Sequence, residues 1–324
     1  MAIQKILSAD IGGTNGRFAY FSYEVEAKKL ELVKTHWISL GQLEEKYSKP
    51  TLIAILSQLD FGFELNEFDV LVIAVACPIT ERKLKLTNNL LTLDLDELEA
   101  NFKCVRLLND FVAQACSCLS DLKETSRIIQ LGKTNPNSPI AVVGAGTGFG
   151  KAYIVPNQNA PLICSAEGGQ AAFAMQSREE MEFAEFVKDR LGVTYPNYDN
   201  IVSGLGLTLL HEFLTGEKLK PQEIAAQFTN NPKLKTLEWF SGFYGRAGRN
   251  YVLETLALGG LFISGGIAIK NPIIISHEAF RANFIDSKKC SKLLQEVPIR
   301  LLTNEASGLW GAAEFWRLKQ LNSF

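Results

Sequence analysis

Asn109 and Asp110 sit at the end of residues 105–108, which read as a strand, and residues 111–119 after them read as a helix. The carboxyl end of a strand is where open α/β sheets place their ligands. An aspartate there can accept the proton of an attacking hydroxyl. It can equally cap the helix, and Asn and Asp are both among the strongest N-caps. With two such neighbours, one can cap while the other catalyses. A second carboxylate, Asp10, follows the mostly apolar residues 3–9 and abuts Gly12, Gly13, Thr14 and Asn15. In that setting an aspartate can hold a hydrated Mg²⁺ beside phosphate oxygens or act as an Asx-type turn residue. Farther on, Gly144, Gly146, Gly148 and Gly150 alternate with other residues, and Thr147 adds a hydroxyl donor. Glycine permits positive φ and close approach of the backbone. Successive N–H groups in such a turn can form a concave anion nest; the plainer reading is a hairpin that only turns. It is not the dinucleotide fingerprint, because Phe149 stands where G-x-G-x-x-G needs its third glycine.

Glu167 precedes Gly168, Gly169 and Gln170. A carboxylate in such a turn can accept two hydrogen bonds from neighbouring sugar hydroxyls, or it is an exposed loop acid. Gly259-Gly260 and Gly265-Gly266 flank a buried run at 261–264, leaving either a flat slot for a nucleobase or strand punctuation. No Ser/His/Asp or Cys/His spacing suggests a nucleophile, and no G-x-x-x-x-G-K-[ST] is present, which excludes a P-loop. The six cysteines form no C-x-x-C pair and only three histidines exist, so a zinc site is not expected. Reduced thiols in a cytoplasmic protein are the simplest account.

The elements that position these residues alternate strand and helix, giving an α/β class. Each glycine turn lies between two β-prone runs: 3–9 and 18–23 around the first, with 30–38 following, and 140–143 and 151–155 around the second. Two hairpins of one design suggest a duplicated architecture. Residues 70–75 are continuously apolar and read as a central strand. Helices are expected at 50–59, 94–102, 177–191, 206–214, 221–228, 234–258 and 309–321, and loops at 132–139 and 195–200. Gly242, Gly245 and Gly248 recur on the longest helix and read as a close-packing face rather than a ligand contact. A chain of 324 residues with 47% hydrophobic residues is enough for two lobes. A net charge of −2 argues against a nucleic-acid or anionic-membrane surface. Asp10 comes too early for a signal-peptide core, and no apolar run is long enough to span a bilayer.

The order of these motifs resembles the bacterial ATP-dependent glucokinase family, related to hexokinases and repressor-like sugar kinases. It runs Asp10-Ile11-Gly12-Gly13-Thr14-Asn15-x-Arg17, Ala76-Cys77-Pro78-Ile79-Thr80, Thr87-Asn88, Leu108-Asn109-Asp110-Phe111, the 144–150 turn, Glu167-Gly168-Gly169, then the run from Gly260 to Ile267. The resemblance covers nearly the whole chain. It implies a two-lobed, actin-like (ribonuclease-H-like) sugar kinase fold with an interlobe cleft. The small lobe would take residues 1–120 plus 303–324, and the large lobe 121–302. It further implies ATP and Mg²⁺ as cofactors, a hexose substrate, no nucleic-acid or membrane partner, and a homodimer. By the same resemblance, Asp10, Gly12, Gly13, Thr14, Asn15, Gly144, Gly146, Thr147, Gly148, Gly265 and Gly266 would bind ATP, with Asp10 an indirect magnesium ligand. Asp110 would be the general base toward the sugar 6-hydroxyl. Asn88, Asn109, Asp110, Glu167, Gln170 and Asp199 would hold the sugar. Three positions depart from the family: Gln170 replaces a histidine, Asp199 a glutamate and Leu91 a tryptophan. The expected reaction is transfer of the γ-phosphoryl group to glucose. The departures leave room for another hexose or an amino sugar, or for a sugar- or nucleotide-binding sensor with weak catalysis.

Overall fold

The computed structural model describes residues 2–12, 15–40, 51–76, 81–85, 91–158 and 160–321. Gly13, Thr14, Asn88 and the 77–80 motif lie outside the described residues. The chain divides into two compact units. The first comprises 1–124, 157–163 and 306–324, and the second 125–156 and 164–305.

In the first unit, β1 (Ile3–Ile11), β2 (Asn15–Glu24) and β3 (Lys29–Ser39) form an antiparallel meander. β4 (Val70–Val75) then pairs in parallel with β1. A small hairpin of β5 (Lys83–Lys85) and β6 (Thr92–Asp94) follows. β7 (Val105–Asn109) pairs in parallel with β4, giving the order β3-β2-β1-β4-β7. β4 is buried along its whole length because both faces of the sheet are covered. Leu7, Ala9, Leu71 and Ile73 pack with the helices at Leu52–Leu56 and Leu95–Asn101. Ile6, Val70, Val72 and Ala74 pack with Asp110–Ser117 and Ser307–Leu321. Those last two helices approach so closely that a Cβ on Gly311 would collide with the Ala113 carbonyl.

The second unit repeats the plan. β8 (Arg127–Gln130) is an antiparallel edge strand. β9 (Ile140–Ala145) and β10 (Phe149–Val155) form an antiparallel hairpin, and β11 (Leu162–Ala166) lies next to β10 in the sheet. β12 (Gly260–Ser264) runs parallel to β9, and β13 (Ile299–Leu301) parallel to β12. The order β11-β10-β9-β12-β13-β8 is that of the first sheet with one strand added, so the duplication expected from the two hairpins is present. The helix Lys235–Thr255 packs against Glu278–Ile285 through its glycines: a Cβ on Gly245 would collide with the Phe280 carbonyl, and one on Gly242 would lie 2.8 Å from Asn283. The packing reading of that glycine face holds.

Several sequence expectations need correction. The helix expected at 50–59 is a short Leu52–Leu56. The helix expected at 234–258, with Gly259-Gly260 as its end, stops at Thr255, where Leu256 turns left-handed (φ 48°). Gly260 (φ 133°) instead opens β12. The loop expected at 195–200 gives way at Tyr198 to the helix Tyr198–Ile201, a single turn too short to show a period. Edge strand β8 and the short helices Gly266–Lys270, Ile273–Ser276 and Ser291–Glu296 escaped for the same reason. No helix of the described residues is long and apolar enough to cross a membrane.

Candidate active site

In the first unit β1 and β7, each parallel to β4 and on either side of it, deliver carboxylates at their carboxyl ends. The register pairs Asp10 with Ala74, and Val75 with Asn109. At β7 the work is divided. Asn109 is the cap: its Oδ1 accepts from the amides of Phe111 (2.9 Å) and Val112 (3.3 Å). Asp110 is the first helical residue, half-buried, and one of its oxygens also accepts from the Phe111 amide at 2.9 Å.

Asp10 lies in a cross-strand row. It faces Arg17 on β2, and Arg17 faces Trp37 on β3. Arg17 Nη1 donates to Asp10 Oδ2 at 3.1 Å, and its guanidinium lies 4.7 Å from the Trp37 ring centre. Burial pushes the Asp10 carboxyl up from its ordinary value, and the Arg17 charge and hydrogen bond offset part of that rise. The amino end of the terminal helix closes over this carboxylate: a Cβ on Gly308 would be 2.5 Å from Asp10 Oδ2. The turn after β1 is held by the Gly12 amide donating to the Asn15 carbonyl at 3.0 Å. One carboxylate already sharing an arginine fits a Mg²⁺ held through water and phosphate oxygens.

In the second unit, β9 and β10 meet in the turn Gly146–Gly148, with Ala145 paired to Phe149. The hairpin's amides are divided. Ala145 donates to the Tyr244 hydroxyl (3.1 Å), Gly146 to the Gly148 carbonyl (2.8 Å) and Phe149 to Asp199 Oδ1 (2.6 Å). Among the described residues no hydrogen bond engages the Thr147 and Gly148 amides, which leaves two adjacent donors at the tip for an anion. The turn's glycines do not use positive φ, contrary to the expectation from their number. Gly148 is needed for space instead, since a Cβ there would be 3.0 Å from Asp199 Oδ1. Positive φ appears at Gly265 (87°), which follows β12 and whose backbone lies against Ala145; next to it a Cβ on Gly266 would meet only open space.

Glu167 is exposed and opens a single 3-10 turn, Gly168–Gln170. Gln170 Nε2 donates to Asp199 Oδ2 at 2.7 Å, and Asn197 Nδ2 donates to Gln170 Oε1 at 3.0 Å. Glu167, Gln170 and Asp199 are therefore brought together with the glycine hairpin. Leu91 is buried in the first unit's core. Three contributors went unread in the sequence. Asn197 caps Tyr198–Ile201 in a reciprocal box with Asn200, and that short N-x-x-N was the available signal. Tyr198 stacks on Phe149 at 5.6 Å. Lys151, almost fully buried on β10, holds its ammonium 3.8 Å from the Tyr198 ring centre and underlies Gly168. Burial pushes its ammonium down from the ordinary lysine value.

Two copies of one hairpin-plus-parallel-strand sheet, each with a glycine turn after its first strand, define the actin-like class of sugar kinases. The solved glucokinase from an Antarctic psychrotroph matches 96% of this chain and 98% of its own, with a TM-score of 0.78 and 25% identity. A glucokinase of Balamuthia mandrillaris, solved in complex with glucose, has the same fold at a TM-score of 0.75 and 19% identity, over 98% of this chain and 94% of its own. A glucokinase of Pectobacterium atrosepticum is 30% identical over 324 residues, spanning 96% of this chain and 97% of that one. The glucokinase family model matches residues 7–319, and the chain belongs to the glucokinase family.

Proposed function

We propose that this chain is an ATP-dependent glucose kinase, moving the γ-phosphoryl group of ATP to the sugar 6-hydroxyl to give glucose 6-phosphate and ADP. The observation that carries the reading is the division at the end of β7: Asn109 takes the helix cap, and Asp110 stands beside it at the strand's carboxyl end. Phosphoryl transfer asks a protein chiefly for positioning and charge stabilisation, together with a group that takes the acceptor's proton. Asp110 accepts the proton of the 6-hydroxyl as that oxygen forms its bond to the γ-phosphorus and the bond to the bridging oxygen of ADP breaks. The Thr147 and Gly148 amides donate to phosphate oxygens, and Gly265 and Gly266 border the adenosine. Asp10, kept in place by Arg17, would hold a Mg²⁺ ion, which when bound would neutralise triphosphate charge. Glu167 and Gln170 accept and donate to sugar hydroxyls, joined by Asn109 and by Asn88.

The test is ADP release, coupled to a colour reaction, over a panel of glucose, mannose, fructose and amino sugars. Glucose gives the highest kcat/KM. No turnover with any hexose, by folded protein that binds ATP, contradicts the reading. A higher kcat/KM for another hexose keeps the phosphoryl transfer and replaces the substrate.

A further inference from the structure

Each oxygen of the Asp199 carboxylate accepts one protein hydrogen bond. Oδ1 takes the Phe149 amide of the glycine hairpin at 2.6 Å, and Oδ2 takes Gln170 Nε2 at 2.7 Å. The carboxylate is also wedged between two glycines. A Cβ on Gly148 would stand 3.0 Å from Oδ1, and one on Gly169 would collide with both Oδ1 and the Phe149 carbonyl. The segment that carries Asp199 grips the hairpin at two further points. Tyr198 stacks on the Phe149 ring (5.6 Å, planes at 19°), and the Gly204 amide donates to the Gly146 carbonyl at 2.9 Å. Ser203 Oγ donates back to the Asp199 carbonyl at 2.5 Å while capping the next helix, which fixes the segment from behind. Gln170 is oriented by the same chain. Asn197 donates to its Oε1 and Asp199 accepts from its Nε2, so its amide has one N–H and one lone pair left to offer.

We propose that Asp199 is a positioning residue that ties the phosphate-side hairpin to the sugar-side turn 167–170 and fixes the orientation of the Gln170 amide. The proposal rests on the kinase reading above and deepens it: one carboxylate sets both the tip that receives phosphate and the amide of Gln170. A carboxylate serving only as a sugar ligand would keep an oxygen clear of protein donors. Here each oxygen has one at short, charge-assisted distance. Removing the carboxylate therefore disturbs the hairpin before any sugar is present.

Two measurements on the full chain separate the roles: amide hydrogen exchange over 144–155 without ligand, and Mg²⁺-ADP affinity by calorimetry without sugar, each for wild type, Asp199→Ala and Asp199→Asn. In Asp199→Ala, exchange at the Phe149 amide quickens and ADP affinity falls about tenfold, the size of a lost charge-assisted hydrogen bond. Asp199→Asn keeps one acceptor for Phe149, so exchange and ADP affinity stay near wild type. Its new Nδ2 faces the Gln170 donor, so KM for glucose rises about tenfold. Asp199→Ser, too short to reach Phe149, replaces the alanine variant if the latter does not fold. Wild-type exchange and ADP affinity in Asp199→Ala, with only the glucose KM raised, would make Asp199 a plain sugar ligand and overturn the proposal. Failure of wild type to phosphorylate any hexose would instead sink the kinase reading, and the exchange comparison would still decide whether the tie exists.

Discussion

At the scale of single residues, charges are kept inside this protein by partners at fixed positions. Arg246 and Glu180 show it most simply. Their side chains are 4% and 13% exposed and meet in two parallel hydrogen bonds of 2.7 and 2.9 Å. Burial pushes the Glu180 carboxyl up, but the Arg246 hydrogen bonds and charge and the Gln176 amide together hold it below its ordinary value of 4.5. A carboxylate whose pKa is lower folded than unfolded adds stability that is present above the unfolded value and disappears as pH falls through the folded one. Glu180→Gln should therefore cost about 3 kcal/mol at pH 7 by leaving Arg246 buried without its counter-ion. Urea unfolding checks this, and the gap between variant and wild type should close as pH drops below 4.5. A gap that stays constant between pH 7 and 3 would show that the ion pair is not its source. At Asp10 the balance is the reverse: burial outweighs the Arg17 charge and hydrogen bond, and the carboxyl stays above its ordinary value. The unlike fates of Asn109 and Asp110, one capping and one adjacent to it, come from a shift of a single position along the chain.

At the scale of elements, the duplicated sheets place both glycine turns after the first strand of a hairpin and the candidate base at the end of a parallel strand. This much was legible in the sequence, because apolar runs such as 70–75 and 140–143 and the glycine clusters are local signals. The short pieces were not. Asp199 sits in the one-turn helix Tyr198–Ile201, which has no period to read, and its partners Phe149 and Gln170 are distant in sequence. The glycines of 144–150 suggested positive φ, yet what Gly148 supplies is room for a carboxylate contributed by residue 199. Such a need is invisible until the chain is folded. The longest helix offers a test at this scale. Gly245→Ala places a methyl group against the Phe280 carbonyl and should cost about 2 kcal/mol through overpacking, measured as a lower urea midpoint with an unchanged m-value. A neutral result would mean that Lys235–Thr255 and Glu278–Ile285 can slide apart without penalty.

At the scale of the whole molecule, the chain belongs to the glucokinase family, and phosphoryl transfer asks a protein chiefly for positioning and charge stabilisation. Substrates that bind only the folded protein must raise its stability. Glucose at about a hundred times its Kd should add about 2.7 kcal/mol, seen as a rise in melting temperature that mannose or fructose at equal concentration does not match. The most direct measurement is steady-state glucose phosphorylation by Asp110→Ala beside calorimetric titration of the same protein with Mg²⁺-ADP. With Asp110 as the base, glucose-dependent ADP release falls by about 10²-fold or more while ADP binds as in wild type. Retained kcat in a variant that still binds ADP would contradict the account.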